Sequence, residues 1–162
     1  MNETTPYVAA PEQIEFGVLA QSLGFLLRIS QIAAFEEYFA EFGTQLLRPG
    51  ELSVLLMMER NPGIRQGVLA RSLRIKRAHM AKMIRSMEED GIVERTVPED
   101  DRRSVELWLT EAGRRVLETN RAPFEAHDAK SGQGLTKREA DELRRLLRKF
   151  AGIPDPEGED RT

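Results

Sequence analysis

The residues best suited to chemistry lie between positions 64 and 85, where seven side chains are basic and none is acidic. Such a cluster can neutralise phosphate groups, which supply most of the affinity of proteins for nucleic acid. The whole chain of 162 residues has a net charge of −3, with acids gathered near both ends. The basic segment therefore predicts a DNA-binding face on an otherwise acidic body. A solvated helix face with a chance cluster of charges is the alternative.

Other chemistries have little support. The chain has no cysteine, which excludes disulfides, thiolate metal sites and thiol-based redox sensing, and its two histidines offer little for a metal site. It contains no nucleophile–base pair and no phosphate-binding loop, so we expect neither an enzyme nor a cofactor. No apolar run is long enough to span a bilayer, and the first residues lack the pattern of a secretion signal. We therefore expect a cytoplasmic protein without a membrane partner.

Two predicted helices position the basic segment. A short helix from Gln66 to Leu73, a turn at Arg74 and Ile75, and a longer helix from about Lys76 to Asp90 have the pattern of a helix–turn–helix. In such motifs the first turns of the second helix enter the major groove. We therefore predict that the following residues contact DNA: Arg65, Gln66, Arg74, Lys76, Arg77, Ala78, His79 and Lys82.

Within the second helix, Arg77 is our first choice for reading bases, since arginine can donate two hydrogen bonds to the O6 and N7 atoms of guanine. Ala78 is placed to approach a thymine methyl group, and Lys82 is placed to hold a phosphate. His79 is predicted to contact a base or a phosphate, with plain surface exposure as an equally frequent role.

A β-hairpin is predicted directly after the second helix. Gly91 can take the positive φ that ends a helix, and residues 92–97 then alternate in the manner of a strand. Residues 98–103 are polar and turn-prone, and residues 105–109 alternate as a return strand with one buried face. Thr110 is a good N-cap for a further helix. The hairpin therefore has the place and size of a wing.

Three separated submotifs resemble the winged-helix signature of MarR-type bacterial transcription regulators. They are Met-Glu-x-x-Gly-Ile-Val-x-Arg at 87–95, Asp-Arg-Arg-Ser-Val at 101–105 and Leu-Thr-x-x-Gly-Arg at 109–114. The order of helices on both sides extends the resemblance over roughly residues 15–150. It implies a mainly α-helical fold with a small β-hairpin wing, in which a winged helix–turn–helix is joined to a helical dimerisation region. The chain departs from the family at Arg74 and Lys76, where relatives have Gly and Asp, and at Val97-Pro98, where many have Asp-Pro.

The resemblance also assigns roles within the wing. It implies that one wing arginine enters the adjacent minor groove, whose narrow form attracts arginine, while Asp101 pairs with another arginine and stiffens the loop. We predict Arg102 as the inserted residue and Arg103 as the partner of Asp101. Arg95 is a further predicted DNA contact.

The remaining helices are expected to form the dimerisation region that the family has. From Gln13 to about Phe42 the apolar residues are denser than one amphipathic stripe requires, so the core would cover one side and a partner subunit the other. A wholly intramolecular core is the alternative. The expected organisation is a flexible tail at 1–11, the dimerisation region at 12–48 and 111–152, the winged helix–turn–helix at 49–110, and a disordered acidic tail at 153–162.

Local signals set the ends of these helices. Pro49 is suited to a first helical turn, and Asn61-Pro62-Gly63 should end that helix. Pro123 is expected to kink or split the helix that starts after Thr110. The last helix begins with a capping box and continues with an apolar seam, formed by Ala140, Leu143, Leu147 and Phe150.

The resemblance implies a homodimeric repressor of pseudo-palindromic double-stranded DNA, with half-sites roughly 34–36 Å apart, released by a small ligand. The implied ligands are aromatic carboxylates, phenolics, other small lipophilic molecules or acyl-CoA thioesters. The alternatives are a ligand-independent DNA-binding activator or architectural protein, and a winged-helix protein-interaction module. The candidate ligand-binding residues, for which ordinary surface or core positions are the more frequent role, are Arg28, Tyr38, Arg48, Met57 and His127.

Overall fold

Helices dominate the computed structural model, which describes residues 14–97, 104–130, 132 and 134–155. These residues form two compact units, one ending at His127 and the other starting at Asp128. Every helix among them is too short or too polar to cross a lipid bilayer. The mainly helical fold with a small β-structure confirms the predicted class. The elements are α1 (Leu23–Phe42), α2 (Pro49–Arg60), β1 (Ile64–Arg65), α3 (Gln66–Ser72), α4 (Arg77–Glu89), β2 (Val93–Thr96), β3 (Glu106–Leu109), α5 (Glu111–Asp128) and α6 (Lys137–Ala151).

The first helix is shorter than predicted. A 3-10 turn covers Gly17–Gln21, and α1 starts only at Leu23. The helical conformation is interrupted at Ser22, which has an extended backbone and is the N-cap of α1. Its Oγ accepts a hydrogen bond from the N–H of Phe25 at 3.4 Å. The prediction of one helix from Gln13 was wrong because apolar periodicity continues through the break and does not reveal it. Among the residues of α1, Tyr38 alone is buried.

The core of the first unit lies under α2, α3 and α4, where Leu52, Leu55, Leu69, Met80 and Ile84 are almost fully buried. Their spacing of three and four residues explains why these segments are helical and which face each one buries. Pro49 occupies the first turn of α2, as predicted, because its missing N–H has no partner to lose there.

The sheet has three strands in the order β1-β3-β2, all antiparallel. The predicted two-stranded hairpin therefore lacked β1, whose two residues pair Ile64 with Leu107 and Arg65 with Glu106. A strand this short carries no alternation from which it can be recognised. Between β2 and β3, Val93 pairs with Leu109, so both apolar side chains face the core.

Thr110 joins the sheet to α5. Its Oγ1 accepts a hydrogen bond from the N–H of Gly113 at 3.0 Å, as the predicted N-cap requires, and donates to the carbonyl oxygen of Gly91 at 2.7 Å. Gly113 is buried against Ile92, the residue just before β2, and a Cβ atom added there would lie 2.1 Å from the carbonyl oxygen of Ile92. The start of α5 therefore fits against the backbone because residue 113 has no side chain.

The last part of the chain departs from one prediction and agrees with another. Pro123 does not split α5, which continues to Asp128. Proline has no N–H to donate to the carbonyl oxygen of Thr119 four residues earlier, but Thr119 is exposed, so water can replace that hydrogen bond. At α6 the predicted capping box is present, because Thr136 Oγ1 accepts from the N–H of Glu139 at 3.4 Å and Glu139 Oε2 accepts from the N–H of Thr136 at 2.7 Å. The predicted turn at 98–103 with the roles of Asp101, Arg102 and Arg103, the predicted tail at 1–11 and, from residue 156 on, the predicted tail at 153–162 lie outside the described residues.

Candidate nucleic-acid interface

Helix α4 presents two opposite faces. Met80, Ile84 and Met87 are buried in the core, which confirms the predicted apolar stripe. The residues between them point outward, because 3.6 residues per turn place them on the other side of the helix. The exposed residues of α4 include four of those predicted to contact DNA, namely Arg77, Ala78, His79 and Lys82.

The basic side chains of this face have no acidic partner among the described residues. Arg74, Lys76, Arg77 and Lys82 are exposed and form no ion pair with any residue that the structure describes. Cations that lie together without acidic partners raise the local positive potential and attract polyanions. A surface of this kind is suited to bind the phosphate groups of a nucleic acid.

Helix α3 is held beside β3. The N–H of Gln66, the first residue of α3, donates to the carbonyl oxygen of Val105 at 2.9 Å. Gln66 is half-buried and Arg65 is exposed in β1, which pairs with β3. Both predicted DNA contacts therefore lie where the helix–turn–helix meets the wing.

The turn between α3 and α4 is strained. Arg74 has a φ of 53°, the left-handed conformation that glycine adopts most easily, and it is the one non-glycine among the described residues with positive φ. The next residue secures the turn, since the N–H of Ile75 donates to the carbonyl oxygen of Ala70 at 2.9 Å. The turn thus keeps its geometry with arginine in a conformation that suits glycine, at a cost of about 1–2 kcal/mol.

The N-terminus of α4 is without the capping side chain and the acidic residue that usually stabilise the start of a helix, as far as the described residues show. Lys76 is the N-cap residue with extended backbone (φ −60°, ψ 138°), and neither a side-chain cap nor an acid in the first turn is found among the described residues. Free N–H groups and the positive end of the helix dipole therefore lie beside further cations. This arrangement is unfavourable for the free protein and favourable for an approaching anion.

Replacing Lys76 with serine is expected to raise the free energy of unfolding by about 1 kcal/mol, because a serine Oγ can accept from the first N–H groups of α4. The same change should weaken DNA binding and reduce the slope of log affinity against log salt by about one. Urea unfolding and titrations at several salt concentrations measure both effects. Lys82→Ser is the matched control, since it removes a charge from α4 without reaching the N-cap. If Lys76→Ser gained no stability, those N–H groups would already be satisfied in the free protein.

The base of the wing is fixed by contacts that sequence reasoning missed. Arg95 Nη2 lies 2.5 Å from Glu88 Oε2 on α4, so this predicted DNA contact is engaged within the protein. Trp108 Nε1 donates to Thr96 Oγ1 at 3.0 Å across the two strands. The Trp108 ring also covers Gly63, where an added Cβ would lie 2.8 Å from it. Pairing of Arg95 with Glu88 fixes β2 against α4.

The candidate ligand residues separate into two groups. Arg28 and Arg48 are exposed, and half-buried Met57 packs against the core. Tyr38 and His127 are 3% and 8% exposed, so ordinary surface exposure was the wrong interpretation for both. Arg48 also lines a cavity of about 710 Å³, whose other walls are Phe39, Gly43, Thr44, Gln45, Leu46, Leu47, Glu51, Val116 and Asn120.

Tyr38 and His127 belong to one buried aromatic cluster. Their rings lie 5.5 Å apart at 89°, and Phe42 lies 5.0 Å from Tyr38 and 5.4 Å from His127. His127 Nδ1 lies 2.6 Å from Glu41 Oε2. Burial, and secondarily the charge of Glu51, raises the pKa of Tyr38 above 10.0, so its hydroxyl remains a hydrogen-bond donor at neutral pH.

A helix–turn–helix flanked by the strands of a sheet of this topology, with an exposed basic face on the second helix, defines the winged helix–turn–helix class of DNA-binding proteins. The MarR family model matches residues 47–105 of this chain. An HTH-type transcriptional repressor from Mycobacterium bovis is 30% identical over 129 residues, which are 79% of this chain and 92% of that protein. The chain belongs to the MarR family of transcriptional regulators.

Three further comparisons agree with this assignment. A Thauera aromatica protein, described as a transcriptional regulatory protein for the hcr operon, is 33% identical over 106 residues, which are 65% of this chain and 64% of that protein. The transcriptional repressor CouR bound to a 23-mer DNA duplex superposes with a TM-score of 0.77 at 31% identity, over 86% of this chain and 99% of CouR. CouR bound to p-coumaroyl-CoA gives a TM-score of 0.74 at 28% identity, over 86% and 98% of the two chains.

Proposed function

We propose that this protein is a homodimeric repressor that binds a pseudo-palindromic operator through α4 and the wing and is released by a small ligand. The observation that carries the proposal is the unpaired basic face, where Arg74, Lys76, Arg77 and Lys82 project without acidic partners among the described residues. Such a protein acts in the cytoplasm, beside the DNA, and its sites serve binding rather than catalysis.

The roles on DNA follow from position. Arg77, at the first turn of α4, reads a base edge in the major groove, with Ala78 and His79 beside it. Arg74, Lys76 and Lys82 hold phosphates and fix the register of the helix. The CouR complex with DNA, at 31% identity, supports this mode of binding.

Dimerisation is supported by large apolar side chains that are exposed to solvent in the single chain. On α1, Leu23, Leu26 and Phe35 are exposed by 56%, 44% and 42%, and on α6, Leu143 and Phe150 are exposed by 45% and 65%. Large exposed apolar patches mark interaction surfaces in soluble proteins. A second copy of the chain is the partner that covers them, because a two-fold dimer presents two recognition helices to a two-fold operator.

A small effector is supported by the cavity beside the loop that joins α1 and α2. Its wall combines apolar Phe39 and Val116 with the exposed guanidinium of Arg48. Mixed lining of this kind suits a molecule with an apolar body and an anionic group. The CouR complex with p-coumaroyl-CoA, at 28% identity, supports a ligand of that character.

Selection from a pool of random duplexes tests the proposal, followed by measurement of affinity against salt. We expect an enriched two-fold site and a log–log slope of about −0.9 for each phosphate neutralised. Light scattering on the complex should show two protein chains per duplex. A pool without enrichment, bound with no dependence on salt, would contradict the proposed function.

Replacing Arg77 with alanine is expected to cost about 1–3 kcal/mol of binding free energy and to relax the base preference at one position of each half-site. Competition titrations against single-base variants of the selected duplex measure this. Arg85→Ala is the control, because exposed Arg85 lies two turns further along α4 and its loss should weaken all duplexes alike. If Arg77→Ala left the base preference unchanged, Arg77 would not be the residue that reads the base.

A further inference from the structure

The backbone of Leu47 is held on both sides by buried side chains. Its N–H donates to Asn120 Oδ1 of α5 at 2.8 Å, and its carbonyl oxygen accepts from the hydroxyl of Tyr38 of α1 at 2.6 Å. Tyr38 and Asn120 are 3% and 6% exposed. The three residues, which we call the Leu47 clamp, join α1 and α5 to the chain two residues before α2 begins.

The clamp has little freedom to rearrange. Asn120 Nδ2 also donates to the carbonyl oxygen of Val116 at 2.8 Å, so both ends of its side-chain amide are engaged. The Tyr38 ring is enclosed by Phe39, Phe42 and His127, at centroid distances of 5.7, 5.0 and 5.5 Å. A buried polar network with every group satisfied specifies one geometry, since any shift leaves a donor or acceptor unpaired.

The opposite end of α2 is fixed by the neighbouring residue of α5. Arg121 Nη2 lies 2.6 Å from both carboxylate oxygens of Glu59, one residue before the end of α2. Asn120 and Arg121 therefore hold the two ends of α2 from a single turn of α5. Because α2 and α4 contribute buried side chains to one core cluster, a rotation of α2 is expected to turn α4 with it.

We infer that the Leu47 clamp sets the angle between the winged helix and α1 and α5, and thereby selects the half-site spacing of the operator. This inference rests on the proposed dimeric function. In a two-fold dimer, a rotation of each winged helix about its connection to α1 and α5 changes the separation of the two α4 helices. Tyr38 and Asn120 are thus spacing-determining residues that do not touch DNA.

The test uses duplexes that carry two copies of the selected half-site, separated by spacers varied in steps of one base pair. The full-length chain should prefer one spacing over its neighbours. Tyr38→Phe and Asn120→Leu should reduce that preference by about fivefold, equivalent to about 1 kcal/mol, or move the optimum to another spacing. Base preference within each half-site should stay unchanged, because α4 keeps its own side chains.

Val54→Ala is the matched control. Val54 is fully buried in α2, so its truncation destabilises the winged helix without removing either hydrogen bond of the clamp. It should retain the original spacing preference. A loss of preference in Val54→Ala equal to that in Tyr38→Phe would overturn the inference, since general instability would then explain both.

The outcomes separate the two proposals. If the unmodified protein enriches a two-fold site and Tyr38→Phe, folded and dimeric, keeps the original spacing preference, the clamp inference is wrong and the proposed function stands. If the unmodified protein enriches no site, the proposed function fails and the inference fails with it. Tyr38→Phe removes one hydroxyl group, so it decides the matter even if Asn120→Leu does not fold.

Discussion

Gly113→Ala is expected to lower the free energy of unfolding by about 3 kcal/mol or more and to leave little folded protein at physiological temperature. The added Cβ would lie 2.1 Å from the carbonyl oxygen of Ile92, and 3.1 Å from the carbonyl carbon of the same residue. A backbone atom at that distance cannot swing aside as a flexible side chain can. Relief requires α5 to move away from β2, which would break the hydrogen bonds of Thr110 to Gly91 and Gly113.

Urea unfolding followed by circular dichroism measures this effect. Gly50→Ala is the control, because Gly50 is an exposed residue in the first turn of α2 and nothing lies within 4 Å of an added Cβ there. In that position alanine should stabilise the protein by about 0.5–1 kcal/mol through its better helix propensity. Equal stability of the two variants would mean that α5 does not pack on Ile92 as described.

Changing Leu143 and Leu147 to glutamine together is expected to convert the dimer to monomer and to reduce operator affinity by at least about 100-fold. Both side chains are exposed on α6, by 45% and 38%, in the seam that the proposed dimer buries. Burial of a leucine contributes about 1.5–3 kcal/mol, and a two-fold interface contains each residue twice. A monomer presents one recognition helix and gives up half of the phosphate contacts.

Sedimentation across a range of concentrations, together with DNA titration, measures this second effect. The double change Glu142→Gln and Lys149→Gln is the control, because it alters the same helix at exposed positions, leaves net charge unchanged and keeps the apolar seam. Loss of the exposed Glu142–Arg145 pair in the control should cost little. A glutamine variant that remained dimeric would exclude this face of α6 from the interface.

The sequence predicted best the elements that are both periodic and bracketed by strong end signals. Helix α2 lies between Pro49 and Asn61, and α4 follows a turn and precedes Gly91, so each boundary was predicted to within one or two residues. The basic surface was predicted equally well, because charge is a property of residue types and α4 has one well-defined buried stripe.

The contacts that position these elements could not be predicted. Asn120 holds Leu47 from 73 residues away, and nothing in the composition of either segment indicates the pairing. Arg95 pairs with Glu88 of α4, and the sequence of neither segment indicates this ion pair. Strand β1 was not predicted from the sequence, because its two residues, Ile64 and Arg65, are extended through their pairing with β3 rather than through their own propensity.

The separation of Leu47 and Asn120 along the chain also has a consequence for synthesis. The ribosome adds about 5–20 residues per second, so the 73 residues between them take about 4–15 seconds to appear. The winged helix is continuous in sequence and can fold during that interval, but α1 must wait for α5, because His127 of α5 helps to enclose the buried ring of Tyr38. Nascent chains of this protein therefore carry an apolar helix that chaperones can bind before its partners exist.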